Sequence, residues 1–199
     1  MRPLHRVDCF LVKRVYLVVM KPLFLATCAV LGFLGFKAGA APLEIGAPIP
    51  DVSGVDQAGK PVALKEVAAK GFVLVYFYPK ADTPGCTAQA CSLRDAYQEL
   101  QEKGVRILGV SADGVEAQHK FQEKYHLPFE LIADKEGKVI DAFGVPRIPV
   151  IGFASRQAYL FKDGVLVWRD LSASTKQQAA DVLKVLDDIR HASKAFTGP

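Results

Sequence analysis

The chain has 199 residues, of which half are hydrophobic and 23% are charged, a composition typical of one globular domain. Its formal net charge of +4 is concentrated at the amino terminus. Residues 1–40 hold six of the 25 Lys and Arg residues but only one of the 21 Asp and Glu residues. The rest of the chain carries a formal charge of −1, so the composition gives no electrostatic case for a nucleic-acid partner.

Residues 1–40 have the pattern of a secretory signal peptide. Lys21 precedes an uncharged apolar run, residues 22–36, and a small-residue sequence (AGA) comes directly before Ala41. This order of basic, apolar and cleavage regions is typical of a signal peptide. The apolar run is also shorter than the ~20 residues that a membrane-spanning helix needs. We therefore expect cleavage before Ala41 and a single mature domain, residues 41–199.

The leader predicts export, most simply to a bacterial periplasm. Either Met1 or Met20 fits as the start of translation, since Met20 opens the basic segment. An uncleaved leader that anchors the protein to the membrane is the alternative, because a second apolar patch precedes Met20. Any membrane association would then be through the leader alone.

Cleavage of the leader would reduce the number of cysteines in the mature chain from four to two. Cys9 and Cys28 lie in the leader, so the mature chain keeps only Cys86 and Cys91. An exported protein with two nearby cysteines can hold them as a structural disulfide. That interpretation remains an alternative to a reactive thiol at this stage.

The mature chain is predicted to alternate strands and helices after a proline-rich opening segment, residues 41–50. The predicted order is an α/β fold with one mixed β-sheet and helices on both of its faces. The Asp-Gly pair at 163–164 predicts a hairpin turn. The predicted elements are a turn at 56–60, a short helix at 64–69, a strand at 72–78, a helix at 84–103, a strand at 105–111, a helix at 114–125, a strand at 130–133, a turn at 134–137, a short helix at 138–143, a hairpin at 157–162 and 165–169, and a final helix at 175–192.

The segment after the first buried strand is the strongest candidate for a reactive site. Thr83 followed by Pro84 is a helix-start signal, which places Cys86 at the third helical position. There the unpaired amides and the positive end of the helix dipole favour a thiolate. We expect the Thr83 hydroxyl to accept a hydrogen bond from a backbone amide and to donate its proton to the sulfur. Pro79, which has no amide proton, is expected to form an apolar wall of the pocket.

Cys91 follows Cys86 by five residues within the same predicted helix. Five helical residues correspond to a rise of about 7.5 Å and a rotation of about 140°. The Cα atoms of a disulfide lie at most about 7 Å apart, so the pair cannot bond while the helix is intact. We expect the helix to unwind locally during oxidation; a permanently unwound first turn is the alternative.

Residues 76–95 (YFYPKADTPGCTAQACSLRD) resemble the active-site region of peroxiredoxins, in particular the bacterioferritin-comigratory or Q-type subgroup. The resemblance implies a thioredoxin-like fold and a thiol-dependent peroxidase that reduces hydrogen peroxide and organic hydroperoxides in antioxidant defence. It implies Cys86 as the peroxidatic cysteine, Cys91 as the resolving cysteine of an intrachain disulfide, and Thr83 as a residue that hydrogen-bonds the sulfur and the peroxide. It also implies Arg156 as the cation that stabilises the thiolate and transition state.

The same resemblance implies a thioredoxin-like protein as the reductant, and no metal or organic cofactor. A monomer and a weak dimer both fit the pattern. Two positions depart from it: Gln89 stands where many members carry Glu, and Ala158 where Ser or Thr is common. Residues 146–155 fit the family pattern only loosely, which leaves their conformation open.

Two other functional classes are alternatives. An exported dithiol oxidoreductase of thioredoxin fold also has a cysteine at a helix start, but normally with two residues between its cysteines, where this chain has four. A copper-binding protein needs a third soft or imidazole ligand beside the cysteines. The available histidines, His119, His126 and His191, fall on or after predicted helices, where we interpret them as solvated.

Overall fold

The computed structural model describes residues 41–148 and 150–196, the last four of these by their backbone alone. The predicted leader lies outside the described residues, so its cleavage and its alternative as an anchor stay predictions. Among the described helices, none combines the length and the apolar character that crossing a membrane requires.

The described residues form strands and helices in nearly the predicted order. In chain order they are β1 (Ser53–Val55), β2 (Pro61–Ala63), α1 (Leu64–Val67), β3 (Phe72–Phe77), α2 (Pro84–Asp95), α3 (Tyr97–Glu102), β4 (Val105–Ser111), α4 (Val115–Tyr125), β5 (Glu130–Ala133), α5 (Lys138–Ala142), β6 (Gln157–Lys162), β7 (Val165–Asp170) and α6 (Gln178–Phe196).

The main sheet has five strands in the order β5-β4-β3-β6-β7. Strands β3, β4 and β5 run parallel, whereas β6 pairs antiparallel with both β3 and β7. Strands β1 and β2 form a separate antiparallel pair. The sheet is therefore mixed, as predicted, and β3 lies at its centre.

Strand β3 is buried because both of its faces are apolar. Leu74 and Tyr76 belong to the hydrophobic cluster on one face of the sheet, and Val75 and Phe77 to the cluster on the other. Helices α2, α3, α4 and α6 contribute to the first cluster, and α1 and α5 to the second. A continuous apolar run is what a strand covered on both faces requires, so the predicted layers are confirmed.

Two helix boundaries differ from the prediction. The helix predicted over 84–103 is interrupted at Ala96 (φ −98°, ψ 10°), which separates α2 from α3. Leu93 before the bend and Leu100 after it are both fully buried in the same cluster, so packing onto the sheet accounts for the bend. The last helix begins at Gln178 rather than 175, because the Ser174 hydroxyl accepts the amides of residues 176 and 177 in a local turn.

The hairpin that joins β6 to β7 is confirmed. Asp163 and Gly164 both have positive φ values, 49° and 79°, as a two-residue hairpin turn of type I′ needs. Asp163 also accepts the Gly71 amide at 2.9 Å. This contact ties the hairpin to the chain just before β3 and fixes β6 beside it.

Candidate active site

Helix α2 begins just past the carboxyl end of β3 and carries Cys86 and Cys91. Thr83 precedes it in an extended conformation (φ −99°, ψ 152°), and Pro84 is its first residue. Cys86 is therefore the third helical residue, as predicted, and its side chain is buried with only 2% exposed. The amides of the first turn have no intrahelical acceptors, so an anion at this position is stabilised by the helix.

Arg156 supplies a positive charge at the same sulfur. Its Nη2 lies 3.3 Å from Cys86 Sγ, although seventy residues separate the two in the chain. Arg156 directly precedes β6, which pairs with β3, and this pairing brings it to the start of α2. A Cβ on Gly85 would lie 3.4 Å from Nη2, so the guanidinium also lies against the α2 backbone.

The guanidinium is held by two buried glutamines. Arg156 Nη1 donates to Gln89 Oε1, and Gln89 Nε2 donates to Gln178 Oε1. Both glutamines are almost fully buried, at 0% and 1% exposed. The sequence singled out Gln89 only as a departure from a family pattern and missed Gln178, which at the start of an amphipathic helix looks like an ordinary surface residue.

Thr83 lies at the predicted position, but its hydrogen bonds differ from the prediction. Its hydroxyl donates to the carbonyl oxygen of Lys80 at 3.0 Å and accepts no capping hydrogen bond from α2. The predicted donation to Cys86 and the predicted capping bond are both wrong for this state of the protein. The positive φ of Asp82, 57°, turns the chain so that the Lys80 carbonyl meets the hydroxyl, whose single proton cannot also reach the sulfur.

Cys86 and Cys91 are free thiols, the first buried and the second half-buried. They lie in one uninterrupted helix, where the predicted spacing argument forbids a disulfide. A permanent structural disulfide is therefore not favoured. Pro79 is half-buried in the loop between β3 and α2, and its role as an apolar wall stays a prediction.

A buried polar network anchors the loop that leads into α2. Asp113 Oδ2 accepts the Ala81 amide at 2.8 Å and the Ser111 hydroxyl at 2.7 Å. Gln118 Nε2 donates to Ser111 Oγ at 2.8 Å, and the Tyr78 hydroxyl donates to Gln118 Oε1 at 2.5 Å. The network fixes the loop to β4 and α4. It could not be predicted from local sequence signals, because its members come from separate segments of the chain.

The surroundings of the sulfur are apolar. Cys86 packs in the same hydrophobic cluster as Tyr76 and Tyr78. Burial raises the pKa of both phenols well above their ordinary range, so they stay neutral. The positive charge of Arg156 consequently acts in a poorly solvated region, where electrostatic interactions are strong.

Nothing in the described part of the chain favours a metal site. No group of three His, Cys, Asp or Glu side chains there lies close enough to hold an ion. His119 instead pairs with Glu123 on the surface of α4.

Comparison with known proteins identifies the family. The AhpC/TSA family model matches residues 45–169. The chloroplastic peroxiredoxin Q of Sedum lineare is 35% identical over 167 residues, which cover 78% of this chain and 89% of the relative. Peroxiredoxin Bcp of Bacillus subtilis is 35% identical over 153 residues, covering 74% of this chain and 97% of the relative.

Solved structures agree with this assignment. The crystal structure of peroxidoxin BcpB from Mycobacterium tuberculosis matches with a TM-score of 0.69 at 32% identity, over 74% of this chain and 98% of that one. The bacterioferritin comigratory protein of Xanthomonas campestris matches with a TM-score of 0.66 at 27% identity, over 75% and 98%.

The fold and the site thus define a thiol-dependent peroxidase of thioredoxin-like fold, and the chain belongs to the AhpC/TSA family. Within that family its relatives are peroxiredoxins of the Q or Bcp type, as the resemblance implied. A peroxide substrate and a thioredoxin-type reductant fit this family. The alternatives of a dithiol oxidoreductase and of a copper-binding protein are therefore not favoured.

Proposed function

We propose that Cys86 is the thiol that reacts with peroxide and that Cys91 resolves the product as an intrachain disulfide. One observation carries the assignment: Arg156 Nη2 lies 3.3 Å from Cys86 Sγ at the first turn of a helix. A sulfur held between a guanidinium and unpaired amides is stabilised as the thiolate, which is the nucleophilic form. Thr83 and Pro79 complete the proposed site as residues of the loop that shapes it.

The first chemical step is attack of the Cys86 thiolate on one peroxide oxygen. The S–O bond forms as the O–O bond breaks, so the sulfur loses two electrons and the peroxide gains them. The leaving oxygen departs as hydroxide or alkoxide and takes up a proton, and Cys86 becomes a sulfenic acid. Arg156 and the amides of the first turn stabilise the negative charge on the leaving oxygen.

The second step forms the disulfide. The thiolate of Cys91 attacks the sulfenic sulfur of Cys86, the S–S bond replaces the S–O bond, and the hydroxyl group leaves as water after protonation. Because the helix geometry keeps the two sulfurs apart, α2 must unwind between them before this step. A thioredoxin-like dithiol then supplies two electrons and two protons by thiol–disulfide exchange, which restores both thiols.

We propose hydrogen peroxide and organic hydroperoxides as substrates, which makes antioxidant defence the physiological role. The X. campestris neighbour is described by its alkyl peroxide reduction activity, which supports the second class of substrate. The leader supports export to a bacterial periplasm, where the oxidising conditions require a dedicated reductant. A monomer or weak dimer is our expectation for the assembly, with membrane association only through an uncleaved leader.

Peroxide consumption by single cysteine variants tests the chemistry. We expect Cys86→Ser to abolish consumption and Cys91→Ser to consume one equivalent and then stop, with a sulfenic acid trapped by dimedone on Cys86. The reductant in this assay is a thioredoxin with its reductase. Parental turnover by Cys86→Ser would refute the assignment. Continued thioredoxin-dependent turnover by Cys91→Ser would remove Cys91 from the cycle while leaving Cys86 in place.

Cell fractionation tests the location. Expressed with a carboxyl-terminal tag in a Gram-negative host, the full chain is expected in the periplasmic fraction with Ala41 as its first residue by mass spectrometry. A tagged protein that keeps its leader and sediments with membranes would support the anchor instead. Full-length protein in the cytoplasmic fraction would contradict export.

A further inference from the structure

Within the part of the chain that the structure describes, the guanidinium of Arg156 is held by the Gln89 amide and by no carboxylate. Among the described residues, no Asp or Glu forms an ion pair with Arg156, and its side-chain hydrogen bonds go to Cys86 and Gln89. Its positive charge is therefore not neutralised at rest and remains available to the sulfur. This inference rests on the proposed role of Arg156 at Cys86 and asks what fixes the guanidinium there.

The guanidinium of Arg156 determines which atoms donate and which accept in the series of hydrogen bonds from Arg156 to Gln89 to Gln178. A guanidinium only donates, so the Gln89 oxygen must face Arg156 and its nitrogen must face away. That nitrogen in turn needs an acceptor, which Gln178 Oε1 provides. Each amide thus has one orientation that satisfies its neighbour, and the last acceptor determines how firmly the guanidinium is oriented.

Burying Gln178 has a cost in stability that its own hydrogen bonds only partly offset. It is the first residue of α6 and is 1% exposed, yet its Nε2 is buried without a partner among the described residues. An unpaired buried donor is unfavourable for folding, so the satisfied part of the Gln178 amide is its oxygen alone, which accepts from Gln89. The Ala179 amide also donates to Ser92 Oγ at 3.4 Å, which packs the start of α6 against α2.

We infer that Gln178 is a positioning residue for the peroxidase reaction: through Gln89 it fixes the Arg156 guanidinium against Cys86 without neutralising its charge. Gln178 touches neither the sulfur nor the peroxide. It acts by limiting the orientations of Gln89, whose oxygen receives the guanidinium. Losing it leaves Arg156 in place but free to turn, so the thiolate and the leaving oxygen are stabilised less well.

The test is a double-mutant cycle that combines Gln178→Met with Arg156→Met in the full chain, with Cys91→Ser throughout to isolate the first step. The rate constant for Cys86 oxidation by hydrogen peroxide is measured by competition with a haem peroxidase. We expect Gln178→Met to lower it by roughly five- to tenfold, the loss typical of one hydrogen bond. In the Arg156→Met background the same change should have almost no further effect, because residues that act through one another are not additive.

A second readout distinguishes positioning from loss of packing. The pH midpoint of Cys86 alkylation by iodoacetamide is expected to rise with Gln178→Met and to stay unchanged with Gln122→Met. Gln122 is a half-buried glutamine on α4 whose amide donates to the Phe129 carbonyl, so it controls for the loss of an amide hydrogen bond elsewhere. If Gln178→Met does not fold, Gln178→Ala removes the same acceptor with a smaller side chain.

Two results would overturn the inference. One is a parental rate constant and alkylation midpoint in the folded Gln178 variant. The other is an equal loss in both backgrounds, which would show that Gln178 acts independently of Arg156. The proposed function fails differently, through an Arg156→Met variant that reacts at the parental rate or a Cys86→Ser variant that consumes peroxide.

Discussion

Arg156 and Cys86 meet at 3.3 Å across a chain separation of seventy residues. The contact depends on the antiparallel pairing of β6 with β3, which places the residue before β6 at the end of β3 where α2 begins. Because β3 and β6 share a register that is fixed along six residue pairs, the position of the guanidinium is set by the sheet. Its orientation is set separately, by the two glutamines.

Replacing Arg156 by Met should slow peroxide reduction strongly. The methionine keeps the length of the side chain but removes the charge that stabilises the leaving oxygen. We expect the second-order rate constant with hydrogen peroxide to fall by roughly 10²- to 10³-fold, the range typical of a lost transition-state donor. Arg106→Met is the matched control, since Arg106 is exposed and pairs with Glu130 at the sheet edge. Similar rate constants for the two variants would contradict the prediction.

Replacing Gln89 by Glu should make the thiolate of Cys86 less favourable. A carboxylate can still accept the hydrogen bond from Arg156, but its negative charge competes with the sulfur for the guanidinium. We expect the pH midpoint of Cys86 alkylation, measured in a Cys91→Ser background, to move upward. Gln98→Glu makes the same charge change at an exposed position on α3 and should leave the midpoint unchanged. An unchanged or lower alkylation midpoint in Gln89→Glu would contradict the idea that an uncharged side chain at position 89 keeps the Arg156 charge available to the sulfur.

Replacing Thr83 by Val should reduce activity through the loop rather than through the sulfur. The valine is nearly isosteric but loses the hydroxyl that donates to the Lys80 carbonyl. We expect a loss of about tenfold in the rate constant with peroxide, comparable to one hydrogen bond. Thr83→Ser keeps the hydroxyl and should retain most of the activity. If the serine variant loses as much as the valine variant, the methyl group and not the hydrogen bond is what matters.

Asp134 should make the stability of the protein depend on pH in an unusual direction. Burial raises the pKa of its carboxyl above the ordinary value of 3.8, an effect that the Ile140 amide and its neighbours only partly oppose. The folded state therefore binds the proton more tightly than the unfolded state, so this group favours folding at low pH. Its contribution is lost as the pH rises from 3.8 through the higher folded pKa.

The matched variant is Asp134→Asn, compared with the parent by urea unfolding at several pH values. The asparagine keeps an oxygen that can accept the Ile140 amide but cannot ionise. Relative to the parent, the variant should become more stable as the pH rises from 3 to 7, so its free energy of unfolding should increase compared with that of the parent. A difference that is constant with pH, or that favours the parent more at pH 7, would contradict the assignment of the raised pKa.

Local sequence signals were enough to predict the features that depend on neighbouring residues. The apolar run of β3 predicted a strand with two buried faces, and Thr83 with Pro84 predicted the start of α2 and the position of Cys86 on it. The Asp-Gly pair predicted the hairpin between β6 and β7. Each of these depends on backbone preferences within a few residues, so the sequence carries them directly.

The features that were missed depend on contacts between distant segments. Gln89 and Gln178 are 89 residues apart in the chain, and neither position signals that its side chain is buried against the other. The Thr83 hydrogen bond was predicted wrongly because the left-handed conformation of Asp82 was not evident from the sequence. Arg156 was identified only through the resemblance to peroxiredoxins, because an arginine before a strand carries no signal of its own.

Gln89 lies in the segment of α2 between Cys86 and Cys91. Its position therefore couples disulfide formation and helix unwinding to the release of the Arg156 guanidinium. If the disulfide closes as proposed, the segment must unwind, and Gln89 leaves both Arg156 and Gln178. Reduction of the disulfide regenerates the thiols at once. Arg156 is positioned again only after the helix has rewound and the hydrogen bond between Gln89 and Gln178 has re-formed. Peroxidase activity should therefore return later than the thiols do, and that interval measures how long the enzyme takes to rebuild its own active site.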